Sequence, residues 1–379
     1  MPRAPSIGLA AVRATLLVAV AAAPARAWEP GKILLGDPDG FHLSPTALVQ
    51  PEAALVLTRN ADDRTAGSGF SLERAEAGLR AGLDDAFGIE LVADFAGGVP
   101  ALLDAFIAVQ LLDEALEARA GWFRPPLGRQ FGLPAAFRQL ARDARSWSLL
   151  DLQREPGVEL RSNLLGLMEI AAGAWSAGEE QFSVDRDPVV GGRLAVLPLG
   201  DESQEVETHL GGAVEPALSI GVAALYGPRR DRLVPFGAGE TYDDHRLRAG
   251  AEIAFAAGSV TATAEGFWMR TWTDDAAPDS VVERLPPVDG VGAYLQAGWQ
   301  ILPGTLEVAA RFDWSDADLL VAGSRFHPAA GVTWFVAGHG LKLQAFYGFD
   351  FALDDPFLPG TAWREPDFHT VALQLQVAI

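Results

Sequence analysis

The sequence predicts an all-β protein, a transmembrane antiparallel β-barrel of sixteen strands. Three observations predict it. Apolar and polar residues alternate with a period of two from about residue 44 onward. The connections between the alternating segments are mostly short and long in turn. The chain also opens on an export signal yet holds no apolar stretch long enough for a spanning helix.

The signal occupies residues 1–27. Arg3 and Arg13 supply positive charge, Leu16 to Ala23 is a short apolar run, and Ala25-Arg26-Ala27 is an A-x-A cleavage pattern. Processing there leaves a mature chain starting at Trp28, with an N-terminal periplasmic segment over 28–43 and the barrel over 44–379. There is no cysteine, so disulfides do not hold the exported fold. An exported chain without spanning helices is periplasmic, secreted or an outer-membrane barrel. If lipid is its partner, the barrel must close, because a hydrocarbon environment cannot satisfy an open strand edge.

The alternation itself is clear in single segments. In Leu306-Glu307-Val308-Ala309-Ala310-Arg311-Phe312-Asp313-Trp314 one face is wholly apolar and the other carries Glu, Arg and Asp. Val260 to Trp268 and Leu341 to Tyr347 repeat the scheme. Sixteen such segments are read near 44–58, 69–83, 88–97, 101–111, 115–124, 154–163, 166–176, 189–198, 214–227, 245–257, 258–271, 289–301, 304–315, 325–336, 340–352 and 366–379. Tight turns are expected at Asp84–Phe87, Asn163–Gly166, Gly258, Leu302–Gly304 and Ala337–Gly340, on the periplasmic rim with both termini. Long outer loops are expected at 59–68, 125–153, 177–188, 228–244, 272–288, 316–324 and 353–365. Two connections break the rule: the one after Pro198 is long and acidic, and Gly98-Val99-Pro100 is short. Aromatics near strand ends (Trp122-Phe123, Trp175, Tyr226, Phe267-Trp268, Trp299, Trp314, Trp334-Phe335, Phe346-Tyr347) read as interfacial girdles. The final segment alternates to Ile379, as a closing strand would.

Formal charge is −21, from 50 acidic and 29 basic residues, and only Lys32 and Lys342 are lysine. This balance argues against nucleic acid as a partner. The acid gathers at Glu179-Glu180, Asp201 to Glu207 and Asp274 to Asp289, which read as ordinary solvated loop charge. The six histidines show no metal-ligand spacing and no G-x-S-x-G motif accompanies them, so neither an enzyme nor a metal or other cofactor is expected.

Several segments, in order, resemble one family. Phe70 to Leu83, Ile89 to Gly98, Ala120-Gly121-Trp122-Phe123-Arg124-Pro125-Pro126-Leu127-Gly128 and Arg154 to Leu160 are similar to the early strands and third-loop flanks of the phosphate-selective porin O and P family. The similarity is good over about residues 70–200 and stays collinear through Gln296-Ala297-Gly298-Trp299 and Gln374-Leu375-Gln376. The resemblance implies a sixteen-stranded homotrimeric barrel in the bacterial outer membrane, with the third loop folded into the lumen. It also implies ion transport: an arginine- and lysine-lined pore passing phosphate or polyphosphate. The expectation is therefore a porin for passive diffusion of small solutes, with inorganic anions preferred. The alternative is a structural or adhesive barrel with a blocked lumen.

Selectivity, on this reading, lies in the third loop. Pro134 suits a helix start, and Arg138, Arg142 and Arg145 fall at i, i+4 and i+7, on one helix face. Leu140, Ala144 and Trp147 fall on the other, to pack on the barrel wall. Arg124, Arg129 and Arg154 make the loop's arginines six, against Asp143 and Asp151. Nearby inward strand positions add Arg74, Arg80 and Arg119, with Glu76, Glu90, Asp94, Asp104 and Glu117 among them. Guanidinium groups offer oxyanions a planar fork of donors. Unpaired arginines at the constriction would set ion preference; arginines paired with those carboxylates would only solvate the lumen.

Overall fold

The computed structural model describes residues 34–37, 40–59, 64–83, 86–112, 115–150, 152–176, 187–200, 206–210, 214–233, 241–273, 287–317, 324–353 and 367–379. The predicted signal, residues 1–27, and most of the predicted long outer loops lie outside the described residues. The strands, in chain order, are β1 (Phe41–Arg59), β2 (Arg64–Leu83), β3 (Phe87–Asp94), β4 (Ala101–Leu111), β5 (Leu116–Phe123), β6 (Glu155–Leu164), β7 (Met168–Ser176) and β8 (Pro188–Leu199). They continue as β9 (Val214–Leu233), β10 (Thr241–Gly258), β11 (Val260–Thr273), β12 (Val288–Leu302), β13 (Leu306–Asp316), β14 (Ser324–Phe326 and Ala329–Ala337), β15 (Leu341–Leu353) and β16 (Asp367–Ala378). A two-residue bridge, Leu35–Gly36, lies back on the start of β1.

Every strand pairs antiparallel with its sequence neighbours, and β16 pairs with β1 from Asp367↔Arg59 to Ala378↔Leu48. The seam finishes with reciprocal backbone bonds between Ala47 and Ile379, at 2.9 and 3.2 Å. The result is a closed sixteen-strand barrel. Alternation places the side chains as expected. Along β13, Glu307, Ala309, Arg311 and Asp313 are buried in the lumen while Phe312 stands exposed outside. Leu91, Leu160, Leu295 and Leu373 belong to the same outward apolar belt.

Strand boundaries shift where backbone pairing continues past the alternation. β2 starts at Arg64, so residues 64–68 of the predicted first loop are strand. β9 runs to Leu233 and β10 begins at Thr241, which shortens the predicted loop 228–244 from both sides. β14 is interrupted at His327-Pro328, since proline has no N–H for the ladder. The barrel wall is also uneven in height. β3 and β5 have 8 residues each and β4 has 11, whereas β2 has 20.

The aromatic girdle is only partly present. Tyr226, Trp299, Trp334 and Tyr347 face outward, but Phe123, Trp175, Phe267, Phe335 and Phe346 point inward and are buried. Their register parity puts them on the lumen face, where Phe123, Trp175, Phe267 and Phe346 pack in the same clusters as the chain's infolded third loop and Phe335 meets His339.

Candidate functional site

The segment between β5 and β6 lies inside the barrel, against the inner face of β11–β16. Its arrangement begins with what those strands present: glutamines, and four glycines at close approach to the segment, Gly290, Gly292, Gly298 and Gly331. Gln139 is the centre. Its side chain donates to Thr261 at 2.9 Å and Glu307 at 2.7 Å and accepts from Gln296 at 3.0 Å. Added carbon at Gly298 would strike the Gln139 amide, and a Cβ on Gly331 would lie 2.8 Å from Leu140. Leu140 and Ala141 pack with Ala309, Ala329 and Phe346, and Trp147 packs on Phe267 at 4.3 Å between ring centroids. So Leu140, Ala144 and Trp147 do meet the wall, as their apolar character predicts.

The predicted helix carrying the arginine stripe is absent. Helical turns occupy only Arg129–Gly132, Ala135–Phe137 and Arg145–Leu150, and residues 138–144 are irregular. The physical reason is visible in the acceptors. Helix formation over 136–147 would use the carbonyls of Ala136, Arg138, Gln139, Arg142 and Asp143 internally. Wall side chains take them instead. Gln376 donates to Ala136, Lys342 to Arg138 at 2.6 Å, Gln344 to Gln139 at 3.0 Å, and Arg311 to Arg142 at 2.9 Å and Asp143 at 2.8 Å.

Arg138, Arg142 and Arg145 therefore point three ways, and each meets a carboxylate. Arg138 is buried and ion-paired to Asp143. Arg142 reaches Glu52 on β1, with Glu73 at 3.9 Å. Arg145 pairs with Asp350 on β15 at 3.6 Å, yet its own side chain is 57% exposed. Arg124 donates to the Phe131 carbonyl and stacks over the Phe131 ring at 5.1 Å. Arg129 is buried and donates to the Val206 carbonyl at 3.0 Å. Arg154, outside the predicted constellation's core, forks onto Asp104 with two bonds of 3.1 Å.

The strand arginines are paired as well. Arg74 bonds Gln50 at 3.0 Å and reaches across to Asp143 on the loop at 3.5 Å. Arg80 pairs with Glu90 at 3.1 Å, and Arg119 with Glu117. Burial pushes the Asp143 carboxyl up, but the charges of Arg138, Arg74 and Arg311 outweigh it, and its pKa lies below the ordinary carboxylate value.

The β2–β7 side differs. Many of its inward residues, among them Glu76, Glu90, Asp104, Glu117 and Arg119, are half-exposed, although Glu159 and Trp175 on the same wall are buried. Water therefore reaches this half of the lumen, between the infolded loop and the β2–β7 wall. Sequence reading missed the glutamines. Gln50, Gln130, Gln139, Gln296, Gln344 and Gln376 are all buried and all hold the loop or the strands around it. Their signal was present as the polar face of alternating strands, which does not distinguish water from a loop.

No protein-family model and no characterised protein sequence matches the chain. Solved structures match in fold. An anion-selective porin from Comamonas acidovorans aligns with a TM-score of 0.61 at 14% identity, over 89% of this chain and 100% of that one. The outer membrane channel DcaP of Acinetobacter baumannii aligns with a TM-score of 0.57 at 11% identity, over 91% and 99%. Salmonella typhi OmpF, in a complex with daunomycin, aligns at 0.57 and 13% identity, over 91% and 100%. The fold is that of bacterial outer-membrane porins. Together with the closed wall and the outward apolar belt, this makes the chain a barrel of the bacterial outer membrane.

Proposed function

We propose that the chain is a porin through which small hydrophilic solutes diffuse passively, a channel rather than an enzyme. The observation that carries this reading is the half of the lumen left wet between the infolded loop and the β2–β7 wall. A structural or adhesive barrel with a blocked lumen has no use for a polar half-lumen lined by Glu76, Asp104, Glu117 and Arg119. We place the short turns and both chain ends on the periplasmic side, following the usual barrel arrangement.

The pore's charge preference follows from pairing. Carboxylates neutralise Arg74, Arg80, Arg119, Arg138 and Arg142 locally. The most exposed of these side chains are Arg145 and Arg80, and Arg145 stands on the infolded loop while its partner Asp350 is buried. This supports a modest preference for small inorganic anions, phosphate-like oxyanions included, and not a strong filter. The likeness to an anion-selective porin agrees with that direction.

Assembly as a homotrimer is part of the same reading. β3 pairs with β2 only over Glu76–Leu83, so β2 above that point is bonded to β1 on one side. Phe70, 93% exposed, stands on this edge above the low β3–β5 wall. A second copy covers such an edge at least cost. Unheated electrophoresis should show an oligomeric band that boiling dissociates.

Purified protein in a planar bilayer tests the function. Discrete conductance steps are expected, with a small reversal potential of anion sign in a KCl gradient. Arg145→Glu should move that potential toward potassium. Absence of steps would favour the blocked barrel, and a strong potassium preference of the unaltered protein would remove the anion part of the proposal.

A further inference from the structure

The connection after β8 departs from its expected place. It leaves from the same rim as the short turns, and its acidic run, Asp201 to Glu207, reads in sequence as solvated loop charge. Yet the described part, residues 206–210, enters the barrel, and Glu207 and Thr208 are only 5% and 1% exposed. A carboxylate is costly to bury unless donors surround it. Glu207 has them. It accepts from the Gln139 backbone N–H at 2.7 Å, from Gln130 Nε2 at 2.8 Å and from Gln296 Nε2 at 2.9 Å. Its own N–H donates to the Phe137 carbonyl at 3.2 Å.

Neighbouring groups extend the grip to the wall. The Thr208 hydroxyl donates to Glu307 on β13 at 2.8 Å, and Gln300 on β12 donates to the His209 carbonyl. His339, in the β14–β15 turn, has its pKa pulled down to about 3 by burial and by Lys342. It is therefore neutral, and its Nε2–H donates to the Thr208 carbonyl at 3.0 Å. Its ring meets Phe137 of the infolded loop edge-on at 5.2 Å.

We propose that Glu207 is a positioning residue: the connection after β8 rises from the opposite rim and clamps the infolded loop, and this clamp sets the width of the pore. The argument rests on the diffusion reading above. Residues 138–144 have no helix of their own, so the loop's position is set by outside anchors. Among these, the Glu207 carboxylate accepts from two loop residues, Gln130 and Gln139, and from one wall residue, Gln296, so it ties the two together from below. Removing it leaves three buried donors without that acceptor.

The test uses the full chain in two readouts. In Glu207→Ala, hydrogen exchange of loop peptides spanning 129–147 should speed up by at least about tenfold, a readout that needs no conductance. In bilayers the same variant should show open-channel flicker and an altered mean conductance, with Glu207→Gln intermediate because one acceptor oxygen remains. The chain has no cysteine, so Phe137→Cys with Glu207→Cys gives a clean reversible version. Oxidised, the pair should restore quiet current and slow exchange; reduced, it should lose both. Unchanged exchange in a folded Glu207→Ala barrel, or a cysteine pair indifferent to oxidation, overturns the clamp. If Glu207→Ala does not fold, the cysteine pair decides. Loss of conductance already in the unaltered protein would instead sink the diffusion reading and leave the exchange result to judge the clamp.

Discussion

The two halves of the lumen are built from the same alternating strands but treat their inner faces differently. On β11–β16 the inward positions hold Gln296, Glu307, Lys342, Gln344 and Gln376, all buried under the infolded loop. On β2–β7 the inward positions hold Glu76, Glu90, Asp104 and Glu117, half-exposed and paired with arginines or with glutamine. The first half behaves as a protein core, where each polar atom needs a fixed partner. The second behaves as a wet surface, where partners exchange with water and pairs contribute little. The same residue types are thus structural on one wall and only solvating on the other.

The largest expected effect comes from filling space on the clad wall. Gly298→Val and Gly331→Val together would drive Cβ branches into the Gln139 amide and the Leu140 side chain. Overpacking of this kind costs about 1–3 kcal/mol at each site. The loop should lift, and the heat-modifiable band should convert at lower temperature while conductance changes. Gly88→Val is the counterpart on the open wall, where the nearest atom to an added Cβ is 3.9 Å away. It should leave both readouts close to those of the unaltered protein. Equal effects from the two walls would contradict the division.

An intermediate effect is expected at the boundary between the halves, where Asp143 pairs with Arg138 of the loop and Arg74 of β2. Its pKa is depressed in the folded barrel. A depressed carboxylate contributes stability above its unfolded value, about 3.9, and loses it as pH falls through the lower folded value. Asp143→Asn should therefore differ from the unaltered protein in thermal conversion and current noise at neutral pH. The two should converge as pH drops below the ordinary carboxylate range. A difference that persists unchanged into strong acid would show that charge at Asp143 is not what holds the boundary.

The barrel was legible because its information is local. In Leu306 to Trp314 a two-residue period alone assigns every side chain to lumen or lipid, and the structure keeps that assignment. The arginine stripe was not, because helix formation over 136–147 was decided by donors far away in sequence. Lys342, Gln344, Gln376 and Arg311 compete for the same carbonyls, and no window around Arg142 contains them. The inward aromatics failed as girdle residues for a related reason. Phe267 and Trp268 are adjacent and equally aromatic, and only register tells that one meets the loop and the other faces outward. Glu207 was hidden inside an acidic run whose other members read as solvated.

The smallest effect is expected on the open wall, at Arg80 and Glu90. Their ion pair measures 3.1 Å, but the Arg80 side chain is 52% exposed to lumen water. Such pairs contribute about 0.2–1 kcal/mol, because water and salt compete for both charges. Arg80→Ala should therefore leave folding and the temperature at which the heat-modifiable band converts unchanged. It still removes one positive charge beside the diffusion path, so reversal potential should shift slightly toward potassium. That shift should depend on salt in a particular way. The screening length is about 10 Å at 0.1 M and about 3 Å at 1 M, so a charge on the wall acts across the path only in dilute electrolyte. In 0.1 M KCl the variant should be distinguishable from the unaltered protein, and in 1 M KCl it should not. Arg311, buried on the clad wall and bonded to the loop carbonyls of Arg142 and Asp143, gives the contrast. Arg311→Ala should perturb current noise at both salt concentrations, since its effect is mechanical and salt does not screen it. If Arg80→Ala alters noise in 1 M KCl as Arg311→Ala does, the open wall is also holding the loop, and the two halves are not distinct.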